Sequence, residues 1–227
     1  MSRFILASLI AALPAVAAAD FTPPKGCTAY MTVQGKQCQV THYYICDQDP
    51  EGFQWRADLD QDGPYFLSQI DRETQWILSI DLAQGSQERL ALGAVDPASF
   101  TELSENGVDT FDFTIIKDNG EETRVKGFDR LTGEELVING ITLLETANEV
   151  EAHGADGEFK WGAKGNEYIS PAHRVFLSGS GTWRTPDGEI DIDDGPMEIL
   201  LPGDKGFLSE KAKFGCNVID ASFGDTH

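Results

Sequence analysis

The chain has 227 residues, a formal net charge of −21 and 10% aromatic side chains. So negative a chain is repelled by nucleic acid and by anionic membrane surfaces, and favours cationic partners or divalent metals. Its length is ample for one well-buried core, and all-β chains of this size are often a single domain.

The first residues, MSRFILASLIAALPAVAAAD, carry one basic residue, Arg3, then an apolar run from Phe4 to Leu13 broken by Pro14. Small residues at Ala17 and Ala19 fit a cleavage site before Asp20, so residues 1–19 read as a secretory signal peptide. The apolar run is too short for a permanent membrane span, and no cysteine follows the cleavage site to take a lipid. Residues 20–227 are then one β-rich domain, periplasmic or secreted, with no permanent membrane anchor.

The mature part opens on Cys27 to Cys46, CTAYMTVQGKQCQVTHYYIC, which holds three of the four cysteines. Four cysteines in an exported chain read as two disulfides. Gly35-Lys36 suits a two-residue type II′ turn, which sets Val33 against Cys38 and Cys27 against Tyr44. On that register Cys38 and Cys46 lie roughly 26 Å apart along one strand and cannot bond. Cys27 and Cys38 are also too distant. The geometry therefore predicts Cys27–Cys46, as diagonal neighbours, and Cys38–Cys216, a bond tying this hairpin to the last strand. One face of the hairpin, from Ala29 through Met31, Val33, Cys38, Val40, His42 and Tyr44, should meet a core. His42 on that face is expected to be structural.

Further strands follow at short spacing, around Phe53–Ala57, Trp76–Ile80 and Phe111–Ile115. Turn signals separate them at Asp62-Gly63, Asn119-Gly120, Thr132-Gly133, Asn139-Gly140, Asp156-Gly157, Asp187-Gly188 and Asp194-Gly195. Asp96-Pro97 and Asn106-Gly107 bracket a short helix over residues 97–105. Such connections predict an all-β, single-domain, up-and-down antiparallel meander of about ten to twelve strands. Accumulated twist should curl it into a partly open β-barrel, with a two-sheet sandwich as the alternative.

Three features could carry chemistry. Asp58, Asp60 and Asp62 before Gly63 reproduce the opening of a calcium loop, although Gln69 stands where a bidentate glutamate belongs. Asp191, Asp193 and Asp194 form a second acidic cluster, and the Ca²⁺ reading would gain if the two met at one end of the sheet. The aromatic residues Trp55, Trp76, Phe111, Phe113, Trp161 and Trp183 fall at inward strand positions, several beside glycines, and could line an apolar cavity or simply pack the core. Zinc-protease, thiol-redox, phosphate-loop and serine-elbow motifs do not occur, so no catalytic residue is assigned and no cofactor is required. The expectation is a non-enzymatic envelope protein that binds an apolar small molecule, a lipid or an envelope protein on a stapled sheet. The alternatives are an exported hydrolase and a calcium-dependent structural or adhesion protein.

Overall fold

In a computed structural model describing residues 20–216, the alternating segments form fourteen strands and one short helix. The N-terminal half runs β1 (Cys27–Gly35), β2 (Val40–Cys46), β3 (Gln54–Asp60), β4 (Gly63–Ile70), β5 (Trp76–Asp81), β6 (Ser86–Leu90) and helix α1 (Phe100–Asn106). Then come β7 (Val108–Lys117), β8 (Glu122–Ile138), β9 (Ile141–Gly154), β10 (Phe159–Ser170), β11 (Val175–Leu177), β12 (Ser180–Thr185), β13 (Gly188–Asp193) and β14 (Pro196–Leu200). The signal peptide expected over residues 1–19 lies outside the described residues, among which no helix is long and apolar enough to cross a membrane.

All fourteen strands belong to one antiparallel sheet, so the sandwich alternative does not arise. From β1 to β10 each strand pairs with its neighbours in sequence, and β10 then pairs with both β11 and β12. Most of the glycine turns stand where expected. At Asn139 and Gly140 both residues have positive φ, 49° and 82°, the pair that a type I′ hairpin turn requires. Two signals mean something else. Thr132-Gly133 is no hairpin but part of a bulge within β8, between Leu131 and Glu135. Asp194-Gly195 joins strands that do not pair with each other, because β14 crosses to the far edge and pairs with β1.

The sheet curls without closing into a barrel. Its end strands, β13 and β14, are consecutive in the chain yet share no ladder. Across the curl, Tyr43 on β2 donates its hydroxyl to Phe176 O on β11, and Trp76 on β5 stacks on Trp161 on β10. One core sits between these halves, with Met31, Val33 and Tyr43 packed on Leu143, Val175, Leu177 and Ile199.

The first hairpin differs from its expected register. Val33 faces Thr41 and Cys27 faces Cys46 directly. The turn is longer than two residues: Gly35 N donates to Gln39 O at 2.9 Å, and Cys38 takes the positive φ, at 55°, that was expected of the glycine. Cys38 leaves the ladder because its N–H donates to Phe214 O in the C-terminal segment, beside its disulfide partner. A bulge between Ala29 and Met31 then switches the hairpin's faces. Both disulfides nevertheless form as predicted, Cys27–Cys46 and Cys38–Cys216, which fits an oxidising environment. Cys216 lies in an irregular segment beyond β14, not in the last strand.

That segment covers the sheet's second face. Phe207, Leu208, Ala212 and Cys216 pack with Phe21 on Ala29, Val40, Tyr44, Ala57 and Leu59. The fully buried Gln34 treats the segment as a strand would, accepting from Lys213 N at 3.0 Å and donating to Lys211 O at 3.2 Å. Thr32 Oγ1 accepts from Leu208 N at 3.0 Å and lies 2.9 Å from His42 Nδ1. His42 is thus structural, stacked on Phe21, and burial pushes its pKa down to about 4.

Helix α1 starts later than expected. Its N-cap is Ser99, whose hydroxyl accepts from Glu102 N, because the backbone of Asp96 is already bridged to Asp112 on β7. It ends at Gly107 in the left-handed region, and buries Phe100 and Leu103 against Leu131, Leu144, Ile169 and Phe176.

Candidate functional site

Five of the six aromatic residues expected to line a cavity come together. Trp76 meets Phe113 edge-on at 5.4 Å and lies parallel to Trp161 at 6.4 Å; Trp161 stacks on Trp183 at 4.9 Å, and Phe111 packs on Phe113. Trp55 stands apart, stacked on Tyr44 and donating its indole N–H to Asp49. The row is built by register: Ala163 on β10 faces Trp183 on β12, which faces Ile190 on β13. Only Phe113 is buried; Trp76 is 37% exposed and Ile190 62%, so the row runs out to solvent at the sheet's last edge.

The neighbouring glycines do not leave room for a ligand. A Cβ at Gly165 would lie 2.2 Å from Ser180 O, and one at Gly181 2.4 Å from Lys164 O. Glycine is needed there because strands β10 and β12 approach closely. None of the six aromatic residues lines either of the two best-defined cavities. One is a polar pocket with room for about one water, among Gln39, Thr41, Tyr43, Arg56 and Asp194. The other is a cleft of about 220 Å³ where the sheet's two edges meet, beside Lys36, Tyr168, Ser180 and Asp193.

The acidic clusters do approach each other at that end. Burial first, and then the charges of Asp193 and of Asp58 in the other cluster, push Asp194 up. Cationic side chains answer them: Arg56 Nε sits 3.0 Å from Asp58, though its N–H is not aimed along the contact, and Lys36 Nζ lies 2.7 Å from Asp193. Thr41 donates to Asp58, while Asp60 accepts from Asp62 N and shapes the β3–β4 turn, and Asp191 accepts from Thr182. No group of three metal-ligating side chains gathers among the described residues.

Sequence reasoning passed over a row of acids inside the curl. Asp109 on β7 and Asp129 on β8 are direct cross-strand partners, 4% and 9% exposed. Next to them Asn148 bonds Glu167 on β10, which feels the charge of Arg56. Burial pushes Asp109 up to about 6, Ser99 N–H opposing and Glu102, Asp96 and Glu73 adding to the rise. Asp129 is raised by burial, then by Glu167 and Asp109, and Glu167 by burial. The signal was parity: Asp109 shares a strand face with Phe111 and Phe113, an inward position for a carboxylate.

The chain matches no family model, no curated protein and no solved structure. Chemistry must therefore be read from its own residues. Ser170 Oγ and His173 Nδ1 are 2.9 Å apart, but Ser170 is fully buried and its hydroxyl cannot meet a substrate. His173 itself stacks on Tyr30, and burial lowers its pKa.

Proposed function

We propose that this chain is an exported, non-enzymatic envelope protein that holds an extended, cationic segment of a partner protein along β13 and the tryptophan row. The observation that carries this reading is continuity: the half-exposed row ends on Ile190, in a strand whose outer side pairs with nothing among the described residues. An unpaired strand edge is a template for an added strand, with backbone bonds giving affinity and side-chain pockets giving choice. On β13, Ile190 and Ile192 alternate with Glu189, Asp191 and Asp193, which matches a partner alternating apolar and basic residues. A second copy of this acidic chain would be repelled. A partner is favoured over an enclosed lipid because the rings pack on each other and neither of the two cavities described above collects them. Two disulfides suit an oxidising compartment, and the signal peptide read in the sequence supports export to the periplasm or beyond.

The test is titration of the purified oxidised protein with a peptide of alternating lysine and valine, followed by tryptophan fluorescence. Saturable binding that weakens with salt and is lost in Trp183→Ala and Ile190→Lys is expected. Equal binding of the alternating glutamate and valine peptide, or none of either, would sink the reading. Lipid found by native mass spectrometry on protein taken from its compartment would replace the partner with an apolar ligand.

A further inference from the structure

We infer that Asp109 and Asp129 share one proton and form a pH-operated latch beneath the N-terminus of helix α1. Directly opposed residues on one face of an antiparallel pair hold their Cβ atoms about 5 Å apart, so the two carboxyls are within reach of a single hydrogen bond. Both are nearly excluded from water. Two carboxylates so placed cannot both ionise, because each would keep its charge next to a like charge in a medium that screens poorly.

An independent observation points to where the proton sits. Asp109 Oδ2 accepts from Ser99 N at 3.0 Å, whereas Asp109 Oδ1 is buried and has no partner. A buried carboxylate oxygen is costly to leave bare. A neutral Asp129 supplies what is missing: its O–H donates to Asp109 Oδ1, and Asp109 stays ionised to cap Ser99.

The surroundings set the direction. Facing the pair are Asp96 before α1, Glu102 within it, Glu73 from the β4–β5 turn and Glu167 on β10. Glu73 is itself occupied, accepting from Thr101 N and hydroxyl and paired with Arg174. Arg56 reaches no further than Glu167. When Asp129 gives its proton to a base in solution, the second charge meets acids on nearly every side. Repulsion then falls on Asp109, and through its bond to Ser99 on the cap of α1.

The sign follows from linkage. In the folded chain the pair holds a proton that the unfolded chain releases near the ordinary aspartate value. The pair's contribution to stability is therefore fully present in acid, declines as pH rises through the native values, and is gone above them.

Thermal melts of the wild type and of Asp129→Asn between about pH 5 and about pH 9 test this. An asparagine amide donates to Asp109 Oδ1 at every pH, so the decline in melting temperature on the alkaline side should shrink and the variant should melt higher than the wild type at the alkaline end. A variant with the wild-type decline would overturn the inference. If Asp129→Asn does not fold, carboxyl-carbon NMR titration of aspartate-labelled wild type decides instead. One buried aspartate still protonated at neutral pH supports the shared proton, and uniformly ionised aspartates exclude it.

Discussion

Removing the Cys38–Cys216 bond should cost more than removing Cys27–Cys46, and the margin can be worked from the chain. The two bonds span sequence separations of 178 and 19 residues. On the chain-entropy estimate these loops contribute about 5 and about 3 kcal/mol, because the longer one removes more freedom from the unfolded chain. The native contacts should survive in Cys38→Ser/Cys216→Ser, since Gln34, Thr32 and the packing of Phe207 and Leu208 still hold the C-terminal segment. The difference therefore belongs to the unfolded state. Equilibrium urea unfolding of each double serine variant, without reductant, measures both costs. A loss of about 5 kcal/mol corresponds to a fall in melting temperature of roughly 10–20 °C for a chain of this size. If the long-loop variant loses no more stability than the short-loop one, the entropic account of this staple is wrong.

Three further outcomes are expected. Gln34→Ala removes both bonds to the C-terminal segment and leaves Lys211 O and Lys213 N bare, costing about 2–3 kcal/mol in urea unfolding and hastening proteolysis after Leu201. His42 is held neutral down to about 4 while the unfolded chain protonates near the ordinary histidine value, so its contribution is lost as pH falls between the two. His42→Gln should lack that loss, about 3 kcal/mol, when melts at neutral pH and at about pH 4 are compared with the wild type. Gly165→Ala would set a methyl 2.2 Å from Ser180 O and 2.6 Å from Gly181 Cα, forcing β10 and β12 apart. A destabilisation of about 2–3 kcal/mol follows, and an unchanged melt would show that the strands can move aside.

The meander was legible because its turns announce themselves. Asn119-Gly120, Asn139-Gly140 and Asp187-Gly188 need residues tolerant of positive φ, and a short connection leaves adjacent strands little choice of partner. The disulfide pairing was legible too, although through a register that the structure shifts: Cys27 and Cys46 are closer than the argument needed. What stayed hidden depends on contacts distant in sequence. Asp194-Gly195 looks like any other acidic glycine turn, and only the free edge of β1, more than 150 residues earlier, draws β14 away. Asp96-Pro97 has the form of a helix start, yet pairing with Asp112 takes its backbone first. Asp109 and Asp129 are two carboxylates in a chain full of them. Parity turns Asp109 to the face of Phe111 and Phe113, but that Asp129 stands opposite it depends on the register of β7 and β8. The tryptophans lay between these cases, since strand parity placed them inward but not in a single row.

The crossing of β14 to the far edge also fixes an order of events. A chain made from its N-terminus presents β1 first, while Leu200, which pairs with Thr32, arrives near the end. Cys27 and Cys46 can join as soon as their hairpin closes, a local event on the scale of microseconds before oxidation. Cys38 has no native partner until nearly the whole chain is present. Contacts between residues so remote in sequence slow folding. The last sulfurs to pair therefore mark a chain made nearly to its end, and an intermediate with Cys27–Cys46 joined but Cys38 and Cys216 free is one in which only the local staple has closed.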